Sequence, residues 1–419
     1  MKKLKEAKCY PWLLVVSYSL LGIFFPAAVT QFSMVVNDVA NALQVNRQVV
    51  LLADSTRAVC LVIAMFLSGY VYKSLGLKKT MGLGLMFQIL PQFVVPLAVQ
   101  FQCVPMLFVL KGMQGLNAMA FPLYISTISV WMDRNYVALA TAIFNGSFMA
   151  GSGIGAWIAG KIVPALGWQA SFYAVGGICL IFAIPALLIT EDKERPEETK
   201  TAKSIDTKKS KKQNVYGTIV RQPLTWILCA SLIANTWVCQ SVTVDMSVYA
   251  NSIGYNYGQT GNLMLMISVV TVVSSMVAGG VSDWFAARAR KKTKSRCWVM
   301  GLGYAISMVG GLMLPIASKI GFWGLAAAAC LMMFGANWGM GVFYALPVEL
   351  YSAEDNVAAT AFCSGASNIP NPIAPMVVGV LLGTNGHWTA AWMTCAAVSA
   401  VSFAASIAIP KVSENRKGI

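Results

Sequence analysis

The stretch VVLLADSTRAVCLVIAMFLSGYVYKSLGLKK, residues 49–79, decides how this chain is read. From Val49 to Tyr72 it carries only two charges, Asp54 and Arg57, in an otherwise apolar run. A helix rises about 1.5 Å per residue, so a run of this length crosses a hydrocarbon core about 30 Å thick. Around its end lie Gly69, Lys73, Gly76, Lys78 and Lys79. An apolar run followed by a basic turn is the pattern of a membrane helix that emerges on the cytoplasmic side.

The pattern recurs outward in both directions. The other runs of the first half are Trp12–Val36, Thr80–Gln100, Val104–Met132, Val137–Val163 and Trp168–Thr190. The second half holds Leu224–Tyr249, Asn262–Phe285, Cys297–Ala317, Phe322–Tyr351, Val357–Gly383 and Trp388–Pro410. Twelve transmembrane helices are predicted, an all-α integral membrane fold. Runs this long and continuous are not barrel strands. The first run starts late and lacks a small-residue cleavage site, so it reads as a span rather than a signal peptide. Trp12 and Trp168 fit an interfacial aromatic belt. Composition agrees: 57% of the 419 residues are hydrophobic and 11% are charged, against about 25% charged in soluble domains.

The net charge is +15. With both termini inside, 26 of the 31 Lys and Arg fall in cytoplasmic segments, and only Arg47, Lys161 and Lys319 fall outside. This positive-inside bias predicts a multi-pass protein of the cytoplasmic membrane with both termini cytoplasmic. It places the basic loops against an anionic lipid leaflet, not against nucleic acid. His387 is the one histidine, so histidine metal sites and Ser-His-Asp triads are not expected. The ten cysteines form no CxxC pair and read as small packing residues. No clustered catalytic set marks an enzyme, and no cofactor is called for.

Residues 191–213 read EDKERPEETKTAKSIDTKKSKKQ, a polar linker between six runs and six runs. The expected domains are residues 1–190, a linker 191–221, and residues 222–419. Self-similarity supports duplication. GYVYKSLGLKK at Gly69–Lys79 aligns with GGVSDWFAARARKK at Gly279–Lys292, TAIFNG at Thr141–Gly146 with TAFCSG at Thr360–Gly365, and Gly167 with Gly386.

With these residues in hand, the chain resembles the major facilitator superfamily of secondary transporters across its whole topology. The family's loop motif after the second span survives as Gly69, Gly76, Lys78 and Lys79, with Lys73 at the usual Asp position. The second-half copy keeps Asp283, followed by Arg288 and Arg290. The resemblance implies that Asp283 helps set the inward/outward balance. Lys111-Gly-Met-Gln-Gly115 looks like the family's Arg-x-x-x-Gly pattern, and GWQASFY at Gly167–Tyr173 is similar to its entry into the sixth span. Gly151 to Ala156 matches the antiporter motif without its proline, which counts against drug/proton antiport. The implied fold is two pseudo-symmetric six-helix bundles around a central site, working as a monomeric transport unit. Spans 1, 4, 7 and 10 are implied to line the cavity.

Charges inside spans are costly and usually face a cavity or a partner. Arg57 is either an anchor for an anionic substrate or a local partner of Asp54, one turn earlier on the same face. Lys111 reads as a structural pairing near the cytoplasmic end of the fourth span, or as an ammonium that attracts an anion or exchanges a proton. Asp245 is a site for a proton or cation, a partner for a buried arginine, or an exposed residue at the outer helix end. Glu349 reads as interfacial. The candidate substrate-binding set is Arg57 with Gln31, Asn117, Tyr124, Asn145, Asn235, Trp237, Gln240, Asn337, Trp338 and Tyr344. Such amides equally serve helix–helix hydrogen bonding. Pro370 and Pro372 interrupt the eleventh span and mark a hinge. Gly151/Gly155 and Gly335/Gly339 are spaced for close helix contact.

The expected function is secondary transport of a small solute, an organic anion or carboxylate, by alternating access, with H+ or Na+ as the candidate coupling ion. Efflux of drugs or hydrophobic solutes is the first alternative, and a transporter-like sensor without net flux the second.

Overall fold

In the computed structural model, residues 9–132, 136–191, 219–343, 346–351, 356–382 and 388–417 are described. Every regular element among them is helical. Ten of these helices are long and apolar enough to cross a membrane, by length and composition. The remaining two of the twelve expected spans are present as broken helices, each piece too short to cross alone.

The fourth span is the first of these. It runs as Val104–Leu116, a 3-10 turn at Asn117–Ala120, and Phe121–Trp131. Pro122 sits at the start of the last piece. Proline removes a backbone donor and crowds the carbonyl four residues earlier, so the chain tightens into 3-10 geometry just before it. The eleventh span breaks between Asn356–Ser367 and Pro370–Leu382. Pro370 and Pro372 open the second piece, where a helix tolerates proline.

The chain divides into two compact units, Met1–Lys212 with Gly254–Asn262, and Gln213–Ile253 with Leu263–Ile419. In the first, Tyr10, Leu14, Tyr18, Leu21 and Phe25 of the first span (Tyr10–Met34) bury one face against Tyr124, Phe144 and Val175. In the second, Leu224, Leu228 and Leu232 of the seventh span (Pro223–Ser252) recur every fourth residue and pack with Tyr304, Trp338 and Phe343. Large apolar side chains on the outer faces stay exposed, among them Phe66, Trp226 and Ile316, as lipid-facing helices require.

The first and fifth spans touch backbone to backbone. A Cβ added at Gly155 lies 2.1 Å from the Ala27 carbonyl oxygen. The Thr30 hydroxyl donates to the Ser152 carbonyl across the same seam at 2.6 Å. Small residues supply the close approach on which membrane helix packing depends.

Candidate functional site

The second span is Arg47–Leu75, capped by Asn46, whose side chain accepts from the Gln48 backbone N–H at 3.0 Å. Asp54 and Arg57 lie two to three turns below that cap, about 10–15 Å in at 1.5 Å per residue. One helical turn brings them together. Arg57 Nε donates to Asp54 Oδ1 at 2.8 Å and Nη2 to Oδ2 at 2.9 Å. Lys111 of the fourth span reaches the same carboxylate, with Nζ 2.9 Å from Oδ1. All three residues are buried, at 1%, 5% and 1% exposure for Asp54, Arg57 and Lys111.

Of the two sequence readings of Arg57, the local pair with Asp54 is present, and a second cation joins it. The position of Lys111 needs correction. It lies seven residues into its span from Val104, beside the start of the second span and the end of the first. The sequence reading puts Lys111 at the same end as the Gly69–Lys79 turn, and it lies at the opposite one. The helix that carries it runs back from the end where the third span finishes.

Two further side chains frame the cluster. Lys111 Nζ stands 3.7 Å from the centre of the Phe32 ring, a cation–π contact that gains strength in a desolvated place. It also donates to Gln114 Oε1 at 3.1 Å. The Gln114 Nε2 donor is buried and has no partner among the described residues. Gln114 and Phe32 were not singled out from sequence, although Gln114 lies one turn from Lys111 within the quoted Lys-Gly-Met-Gln-Gly.

One carboxylate faces two cations here, so the cluster carries one net positive charge. No other charged side chain among the described residues pairs with any of the three. Uncompensated charge in a low-dielectric place costs several kcal/mol. An anion relieves it, as does loss of the Lys111 proton.

The other first-unit candidates are partly tied down. Asn117, at the break in the fourth span, donates to Gln88 Oε1, and Gln88 Nε2 donates to the Phe24 carbonyl at 2.9 Å. Gln31 Nε2 donates to the Ser171 hydroxyl at 2.8 Å. Gln31 Oε1 and the Tyr124 hydroxyl are buried with no partner among the described residues. Tyr124 stands edge-on to Tyr18, centroids 4.9 Å apart. Asn145 is half-buried in the fifth span.

In the second unit, Asn235 and Asn337 bond to each other rather than standing open. Asn235 Nδ2 donates to Asn337 Oδ1 at 3.4 Å and to the Ala336 carbonyl at 3.2 Å. Asn337 Nδ2 donates to Cys239 Sγ at 3.4 Å and to the Met333 carbonyl at 3.1 Å. Trp338 is pinned to the ninth span, its indole N–H on the Val299 carbonyl at 3.0 Å. This is the packing role that buried amides and indoles also serve in membranes. Trp237 approaches the Thr394 hydroxyl at 3.4 Å, and Gln240 Nε2 is buried without a partner among the described residues. Tyr344 lies outside the described residues. Asp245 is 1% exposed, so it is a buried carboxylate, not an exposed helix end.

The comparisons with known proteins converge on one family. A family model described as Major Facilitator Superfamily matches residues 12–294. The chain belongs to the major facilitator superfamily. Monocarboxylate transporter 12 of Mus musculus is 23% identical over 304 residues, covering 64% of this chain. The chain spans 59% of the length of that relative. The alpha-ketoglutarate permease of Bacillus subtilis (strain 168) is 23% identical over 350 residues, 81% of this chain and 76% of the relative. A D-xylose–proton symporter structure superposes with a TM-score of 0.73 at 14% identity, covering 96% of this chain and 97% of that one. At that identity the likeness speaks for the fold alone: all-α, with twelve spans in two six-helix bundles.

The superfamily loop motifs take a particular form here. Gly76 ends the second span at φ 77°, a conformation that side chains beyond glycine rarely adopt. Gly69 meets open space, and Lys78 and Lys79 are exposed. In the second half, Asp283 pairs at 2.7 Å with Arg296 in the first turns of the ninth span, which runs Lys292–Ile320, not with Arg288 or Arg290. Arg288 instead lies 4.0 Å over the Trp284 ring, and Arg290 is exposed. Arg296 also holds Glu349 of the tenth span at 2.8 Å, and Thr293 donates to the same carboxylate at 2.9 Å. Glu349 is thus a half-buried ion-pair partner. One arginine joins three helices, which no spacing along the chain announces. Asn371 donates to the Asn368 side chain at 2.9 Å, bridging the proline break of the eleventh span.

Proposed function

We propose that this protein is a secondary transporter of small organic anions, carboxylates in particular, working by alternating access as a monomeric unit in the cytoplasmic membrane. The carrying observation is the buried Asp54–Arg57–Lys111 cluster, in which two cations share one carboxylate. Arg57 keeps an edge beyond the one that holds Asp54, and its planar fork matches a carboxylate with two hydrogen bonds. Lys111 adds a point charge and Gln114 a free amide donor. Gln31 and Tyr124 offer further unpartnered polar atoms within the first unit. Two of the relatives are named for carboxylate cargo, the monocarboxylate transporter and the ketoglutarate permease. The charge bias of the loops supports cytoplasmic termini.

The test is uptake into proteoliposomes of labelled monocarboxylates and dicarboxylates beside sugars and lipophilic cations. Saturable uptake of carboxylates alone supports the reading. Uptake of sugars or lipophilic cations with no carboxylate flux rejects it.

We assign coupling, to H+ or Na+, to Asp245, a carboxylate buried in the seventh span. Asp245→Asn keeps the size and removes the charge that a proton or cation would neutralise. Its expected result is loss of gradient-driven accumulation with solute exchange retained. Accumulation at the wild-type level in the Asn variant would move the coupling role elsewhere.

A further inference from the structure

We infer that Asp54 sets the charge of the transported solute at one negative unit. The inference rests on the carboxylate reading above and goes further, because the relatives' names point to both a mono- and a dicarboxylate and do not choose between them.

Charge in a buried place has to balance. Arg57 and Lys111 bring two positive charges, Asp54 brings one negative, and all three are at least nine-tenths buried. Asp54 is held on both oxygens, by Arg57 Nε and Nη2 and by Lys111 Nζ, at 2.8–2.9 Å. Two cations this close keep the carboxylate ionised. With Lys111 as its ammonium, the cluster therefore stands at one positive charge. A monoanion brings it to zero. A neutral solute leaves one positive charge unbalanced, and a dianion leaves one negative charge unbalanced. Either residue of charge is expensive in a water-poor site, so the cluster discriminates by valence before it discriminates by shape.

The donors left over suit one carboxylate. Asp54 occupies one edge of the Arg57 guanidinium, which leaves the Nη1 side. Gln114 Nε2 is a buried donor with no partner, on the residue whose Oε1 already takes Lys111. Each is a donor of the kind a carboxylate oxygen accepts from, and both residues belong to the cluster around Lys111 and Asp54. A second carboxylate would find the remaining cationic capacity already taken by Asp54. The same count explains why an acidic residue sits in an anion site: without Asp54, the pair would carry two positive charges and favour dianions.

The experiment compares ligands of one carbon skeleton and three valences, butyramide, butyrate and succinate, by titration calorimetry on purified full-length protein at pH 7.5. Wild type is expected to bind butyrate about 100-fold more tightly than succinate or butyramide, the scale of one unpaired buried charge. Asp54→Asn, of equal size, raises the count to two and should reverse the preference toward succinate. Asp54→Asn/Lys111→Gln returns the count to one and should restore butyrate. Should Asp54→Asn not fold, Lys111→Gln alone brings the count to zero and should erase the preference of butyrate over butyramide.

The failures are separable. Wild type that favours butyrate over butyramide, with the same butyrate-to-succinate ratio in Asp54→Asn, overturns the charge count and leaves the anion site standing. Wild type that binds succinate as tightly as butyrate also overturns it. Wild type that binds neither acid, unchanged by Arg57→Ala, overturns the anion reading and the count together.

Discussion

Arg57→Ala is expected to lower carboxylate affinity by more than about 100-fold while the purified protein stays folded. Two losses add. The truncation removes the planar fork that meets a carboxylate with two hydrogen bonds. It also leaves Asp54 and Lys111 as a neutral pair, so the net attraction for an anion disappears. Folding survives because Asp54 keeps Lys111 at 2.9 Å and is not stranded as a lone buried charge. Arg57→Lys separates the two losses. It preserves the charge and lacks the fork, so it should recover affinity in part. Calorimetry with a monocarboxylate, alongside size-exclusion and helical circular dichroism, reads both effects. Wild-type affinity in the Ala variant would remove Arg57 from the site.

Gly115→Ala is expected to cost about 3 kcal/mol or more of stability, at the upper end of overpacking effects. A Cβ at Gly115 lies 2.1 Å from the Arg57 carbonyl oxygen and 2.9 Å from Cys60 Cβ. The obstacle is backbone, so no side-chain rotation clears it, and the second and fourth spans must part. Lys111 sits one turn along the same helix from Gly115, so parting also lengthens its contact with Asp54. Lower thermal stability in detergent and weaker monocarboxylate binding should therefore appear together. Gly69→Ala is the control, since nothing lies within 4 Å of its added Cβ. It should be neutral or slightly stabilising, as Ala outranks Gly in a helix. A Gly115→Ala protein that melts with wild type would mean the two spans are not held at this distance.

Gly115 shows why a small residue is hard to weigh from sequence. The chain has 35 glycines, and spacing alone does not say which of them face a neighbouring backbone. Gly69 and Gly115 both belong to family-like motifs, yet only the second is sterically required. The same holds for the charges. The Asp54–Arg57 pair was legible because three residues is one helical turn, a relation internal to one helix. That Lys111 completes the cluster, and at which end of its span, depends on how two helices run and turn against each other. Asp283 was legible as a motif residue, but its partner Arg296 stands 13 positions further on, in the next span.

The sequence by itself determined that the chain crosses a membrane repeatedly, where the apolar runs begin and end, and that a polar linker separates six runs from six. These are properties of hydrophobicity summed over about 20 neighbouring residues, and solvent reads them locally. It also marked the break in the eleventh span, because proline acts on its own backbone; the 3-10 break before Pro122 in the fourth span came only with the structure. Only the tertiary structure decided which polar side chains meet. It turned Asp245 inward, clamped Asn235 to Asn337, pinned Trp338 to Val299, and set two cations on one carboxylate. A helix that is apolar on every side carries little record of which face will be buried. Its rotation about its own axis is fixed by packing and by a few polar contacts across helices, and those exist only once the bundle has formed.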